Sequence, residues 1–166
     1  MPTGLVLACM PGLMGGLGRS QSWDLLMSLV AARYLGLTDL LTLWRSLPRE
    51  EVARASTLDN VTLRDLVVLI GRSGEPSGAW IIEASGAAVD ALYDAPLAGK
   101  PVDRLTPGRA DALREVETAL ETGRPLLLED MVALGQRRRR VARLYLPLGD
   151  DKDARAQILC GVVPMS

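Results

Sequence analysis

AWIIEASG (residues 79–86), GAAVDALYDAP (86–96), LAGKPVDRLTP (97–107), GRADALREVETALETG (108–123), PLLLEDMVAL (125–134), RVARLYLPL (140–148) and AQILCGVV (156–163) follow one another with clean punctuation. The first is a short apolar run, the second a helical patch and the third a connector. A capped helix comes next, and three β-like runs close the chain. A strand pair, small helices, one longer helix and three more strands describe a single antiparallel sheet with helices on one face. The expected class is α+β, with five strands.

Working outward, Thr62 to Leu66 reads as one turn leading into VVLIG, the first strand. GRSGEPSGA is a turn cluster that joins this strand to AWII as a hairpin. In the longer helix Thr106 is the expected cap and Pro107 the first helical residue, where a missing N–H costs nothing. Ala110, Leu113, Val116 and Leu120 form its apolar stripe, and Gly123 stops it. The next two runs join at Gly135-Gln136, a short hairpin connection. In the second of them Ala142, Leu144, Leu146 and Leu148 share the expected core face, with Val141, Arg143 and Tyr145 opposite.

Upstream, Ser22 can cap a helix running to Tyr34, with Trp23, Met27, Val30 and Tyr34 on one face. A second helix follows Thr38, with Leu40, Leu43, Trp44 and Leu47 at helical spacing and Pro48 at its end. REEVARAS (49–56) suits a third, short helix. Both larger helices are apolar on more than one side and need cover. The reading gives three parts: an apolar, Gly-rich arm at 1–20, a helical extension at 21–58, and the sheet domain at 59–166.

WIIEASGAAVDALYDAPLAGKPVDRL (80–105), a helix ending in ETGRP (121–125), and LYLPLGDD (144–151) together resemble a bacterial family of PAS-like domains. LWRSLPREEVARASTLDNVTLRDLVVLI (43–70) is similar to that family's leading segment. The resemblance implies a sensory or regulatory module that signals by ligand binding or protein contact. It also implies an apolar cup between helices and sheet, lined by Trp80, Ile82, Val89, Leu92, Tyr93, Leu105, Met131 and Leu144. N-terminal extensions of such proteins commonly pair subunits, so Trp23, Met27, Val30, Tyr34, Leu40 and Trp44 are the expected homodimer interface. No kinase, cyclase or DNA-binding segment follows in the sequence, so the effect is expected to pass to a signalling protein partner.

Composition bounds the chemistry. The 166 residues are 48% apolar and 23% charged, which suits one globular domain with a real core. A net charge of −1 supplies no basic field for nucleic acid or anionic lipid. The 2 cysteines, Cys9 and Cys160, are too few for a disulfide framework and point to a reducing cytoplasm. With no His in the chain, His-ligated haem, a His-containing zinc site and a Ser-His-Asp triad are excluded. The light-sensing PAS branch attaches flavin through an Asn-Cys-Arg-Phe motif, which is absent, so no cofactor is assigned.

Other candidates are weaker. GLMGGLG (12–18) fits neither a dinucleotide fingerprint nor a phosphate loop. The first twenty residues lack the basic start of a signal peptide, and Pro11 with its neighbouring glycines makes a poor membrane span. Arg137 to Arg140 is the single basic run; its expected role is to solvate a hairpin end and guard an exposed strand, with docking of an acidic partner as the other reading. Asp90, Asp94 and Asp103 have no metal-like spacing, and no base–nucleophile pair is visible. The expected function is a non-enzymatic sensory module; an interaction adaptor with a filled core and no ligand is the alternative.

Overall fold

The computed structural model describes residues 5–6, 35–46, 64–72, 78–148 and 156–165. A two-residue strand β1 (Leu5–Val6) is followed by helix α1 (Leu35–Ser46), strands β2 (Val67–Arg72) and β3 (Trp80–Ser85), and helix α2 (Ala87–Tyr93). A 3-10 turn (Val102–Leu105), helix α3 (Asp111–Thr122) and strands β4 (Leu126–Leu134), β5 (Arg137–Leu148) and β6 (Gln157–Pro164) complete the order. The sheet is antiparallel throughout and runs β1-β4-β5-β6-β2-β3. The α+β class and the five long strands are as the sequence implies. The expected helix at 22–34, with Trp23, Met27, Val30 and Tyr34, lies outside the described residues, as do REEVARAS and most of the arm. Leu5 and Val6 of that arm pair with Glu129 and Leu128.

The sheet is covered on both faces, which corrects the expectation of helices on one. Val68, Ile70, Leu126, Leu128, Val141, Tyr145, Ile158 and Cys160 pack with α2, the 3-10 turn and α3. Their strand neighbours Val67, Leu69, Leu127, Ala142, Leu144, Leu146, Leu148 and Leu159 pack with Leu37, Leu40 and Leu41 of α1. Alternation marks a sheet wet on one side; unbroken runs such as LLL and ILC mark burial on both. The α1 layer comes from the segment read as an N-terminal extension.

Two details seat α1. Gly161 lets it approach, because a Cβ there would stand 2.5 Å from Leu40 Cδ2 and 2.7 Å from Leu37 Cδ2. Pro147 falls beyond the last β4 pairing, and its carbonyl accepts a 2.8 Å hydrogen bond from Trp44 Nε1. Leu40, at 1% exposure, is buried against the chain's own sheet, and Trp44 is half-buried beside it.

This layering decides the weight of two side chains. Leu144→Ala should leave a void under α1 and cost roughly 2–5 kcal/mol. Met131→Ala, at a position 49% exposed, should stay within about 0.5 kcal/mol. Urea denaturation of both variants checks this, and comparable losses would contradict the two-faced core.

Candidate functional site

Helix α3 begins four residues later than the sequence implies. Gly108 has φ 80°, a left-handed conformation that ends any helix begun at Pro107. Thr106 still caps, but from a distance: its Oγ1 accepts from the Ala112 backbone N–H at 3.1 Å and donates to the Arg109 carbonyl at 3.2 Å. Ala112, Val116, Ala119 and Leu120 then form the buried stripe, in place of the expected Ala110, Leu113, Val116 and Leu120. Ala110 is exposed and Leu113 half-buried. This rotation carries Glu115 to the border between helix and sheet.

There Glu115 meets Arg143, which points from β5 toward α3. Arg143 Nη2 lies 2.8 Å from Glu115 Oε1 and 3.1 Å from Asp130 Oδ2. Its Nε donates to Glu115 Oε2 and to the Tyr145 hydroxyl, each at 3.2 Å. Tyr145 donates in turn to Glu115 Oε2. Asp130 also receives Arg109, and Asp111 in the first turn of α3 joins Arg109, at 3.0 Å, to Arg114. Arg143 and Tyr145 are two positions apart, so both side chains leave the same face of β5. One guanidinium thus ties α3 to β4 and β5.

Burial sets the energetics. Arg143 is 1% exposed, so its ion pairs are little screened, but its charge has left water at a cost of several kcal/mol. Burial works against that charge; the Tyr145 oxygen and the Glu115 carboxylate outweigh it and raise the guanidinium pKa above the usual arginine value. Burial likewise pushes the Asp130 carboxyl up, but Arg109 and Arg143 overcome it and hold the group below the ordinary carboxylate value. Desolvation raises the Tyr93, Tyr145 and Cys160 pKa values, so all three keep their protons at neutral pH. The Arg143 Nη1 atom is buried and has no acceptor among the described residues.

Beside the network a groove of about 360 Å³ runs along α3 and β4. Arg109, Asp111, Arg114, Glu115 and Thr118 line one side; Leu126, Leu128, Glu129, Asp130 and Arg143 line the other. Its volume falls in the range that holds a small molecule.

Of the expected cup residues, Trp80, Ile82, Val89, Leu92, Tyr93 and Leu105 do come together, in the core between sheet and helices. Each is at most 8% exposed. Tyr93 donates to the Leu105 carbonyl at 2.7 Å, and the Arg72 guanidinium lies 4.6 Å from the Trp80 ring centre. Met131 and Leu144 do not belong with them. Met131 is out in solvent on β4, and Leu144 lies on the α1 face, because residue parity on β4 and β5 sends both away from α2.

Among the carboxylates, Asp90 Oδ1 accepts from the Leu97 N–H at 3.0 Å, and Asp94 ends α2 with φ 57°. No group of three or more potential metal-ligating side chains gathers among the described residues. Arg137, Arg138 and Arg140 are exposed at the hairpin end, and Arg139 is half-buried. No helix among the described residues is long and apolar enough to cross a membrane. No protein-family model matches this chain, and no curated protein matches it either.

The depressed Asp130 pKa has a signed consequence. A carboxyl whose folded pKa lies below its ordinary 3.8 stabilises the fold above that pH and loses the contribution as pH falls further. Unfolding free energy should therefore drop as pH goes below about 4. Asp130→Asn should lower stability at pH 7 by roughly 3–5 kcal/mol, since it strips a partner from a buried charge. It should also flatten the acid limb. Denaturant titrations between pH 2.5 and 7 decide it; an acid limb unchanged in Asp130→Asn would refute the assignment.

Proposed function

We propose that this chain is a non-enzymatic sensory or regulatory module of the PAS-like kind, which senses a small molecule and passes its state to a protein partner. The element order supports the reading: a strand pair, small helices, a longer helix and three further strands in one antiparallel sheet. The observation that carries it is the groove over the buried network that ties α3 to the sheet. Closely packed cores offer a ligand little, whereas a charged seam between two elements is a place where binding can shift their relative position. Glu115 and Asp130 are engaged by Arg143, Tyr145 and Arg109, which suits holding better than proton transfer. The reading includes a bacterial, cytoplasmic setting and a homodimer built through Trp23, Met27, Val30, Tyr34 and the half-buried Trp44.

The adaptor reading is favoured by one observation of its own. Six residues expected to line an apolar cup pack against one another as core, which leaves the effect to protein contact alone.

Thermal melting of the full chain against a metabolite library separates the two. The sensor reading expects at least one compound to raise the melting temperature saturably; at 100 times its dissociation constant it adds about 2.7 kcal/mol. Melting that no compound shifts, together with specific capture of a host protein, would favour the adaptor.

A further inference from the structure

The end of the sheet beyond α1 carries a surface that neither the network nor the groove uses. Leu37, Leu40 and Leu41 of α1 share a core with the sheet residues of that face, and Ala142 of β5, at 0% exposure, is among them. Two positions before Ala142, Arg140 pairs with Met131 of β4, and its carbonyl accepts a 2.8 Å hydrogen bond from the Met165 N–H. Strand alternation puts Met131, Arg140 and Met165 in one row on the α1 side of the sheet. Met131, at 49% exposure, is the single large apolar side chain so exposed among the described residues, and Met165 is half-buried. Ala133 and Arg138 form the next row, and both are exposed. Arg137 and Arg139 leave the other face.

Charge here is unbalanced. Among the described residues no ion pair reaches any of Arg137 to Arg140. Glu129, opposite Ala142, shares the α1 side one row further in, so two guanidiniums on this face stand against one carboxylate. Solvation of a hairpin end accounts for the arginines but not for an exposed methionine in register with them. Arg and Met together are the composition of a protein interface, and a methionine adapts its shape to what it meets. A nucleic acid or an anionic membrane needs a broader basic field than two arginines per face on a chain of net charge −1.

We infer that the α1-side face of the β4-β5 hairpin end docks an acidic, partly apolar segment of a protein partner. Its carboxylates pair with Arg138 and Arg140, which stand about 7 Å apart along the strand, the spacing of alternate residues in an extended chain. An apolar side chain of the segment rests on Met131 and Met165, beside the aliphatic stem of Arg140. The inference rests on the regulatory reading above, which passes its state to a protein, and names the surface and the chemistry of that partner.

Fluorescence anisotropy with the full-length chain tests it. The probe is a labelled peptide in which glutamates flank a central leucine–tryptophan pair. The comparators are the same peptide with glutamine for glutamate, the same peptide with serine for the central pair, a single-stranded oligonucleotide, and vesicles of mixed phosphatidylserine and phosphatidylcholine. Both altered peptides should bind at least about tenfold more weakly than the probe, and added salt should weaken the probe. Arg138→Ser with Arg140→Ser should cost about tenfold and Met131→Ser about threefold or more, while both variants melt as the wild type does. Arg137→Ser with Arg139→Ser, on the other face, should cost less than about threefold. No peptide binding, equal binding of the glutamine or serine peptide, unchanged affinity in the Arg138/Arg140 or Met131 variants, or tighter binding of the oligonucleotide or the vesicles would each overturn the inference. A metabolite that raises the melting temperature of a chain indifferent to the peptide would overturn it and leave the sensory reading in place. Peptide binding that both variants weaken, in a chain that no metabolite shifts, would support it and remove the sensory reading.

Discussion

The Arg143 guanidinium is the point on which the helix layer of this fold depends. It stands in the middle strand of the β4-β5-β6 set, out of water, and contacts Glu115 of α3, Asp130 of β4 and Tyr145 of its own strand. A charge in such a place is tolerable only while its partners hold position. The pairing therefore constrains more than itself. It fixes the rotation of α3, which determines the buried stripe Ala112, Val116, Ala119 and Leu120. The same rotation turns Arg114 and Thr118 toward the groove.

The other face of the sheet obeys a different rule. There the contact between α1 and β5-β6 is almost wholly apolar, admitted by Gly161 and finished by the Trp44 hydrogen bond to Pro147. Hydrophobic burial is non-directional, so this layer sets stability more than geometry. The network layer is directional, and small changes in it alter how α3 sits on the sheet.

Much of the fold was legible in the sequence because its local signals were strong. Gly123 stops α3 as its position suggests, with φ 63°, and the β4-β5 hairpin turns at Gly135. VVLIG and AWII form the expected antiparallel pair, with register running from Val68–Ser85 to Arg72–Trp80. The second layer was harder to read. Alternation along β5 implies a core face and an outer one, whereas both are buried, and Leu144 lies on the α1 side and not on the side of the expected cup. The site was least visible. Glu115 looks like any polar residue of an exposed helix face, and its partner lies 28 residues away. The available signal was Arg143 itself, a lone charge inside the apolar run VARLYLPL, with Asp130 in a similar position in LLLEDMVAL. Charges that interrupt buried strands ask for partners, and that clue outweighs any motif in this chain.

The central claim is that Arg143 and Glu115 act as one unit that fastens α3 to the sheet. A double-mutant cycle with Arg143→Met, Glu115→Leu and the pair together, read by urea denaturation, tests it most directly. The account expects each single change to be strongly destabilising and the double to cost clearly less than their sum, with a coupling energy of about 2 kcal/mol or more. Single losses that add to within about 0.5 kcal/mol would contradict it.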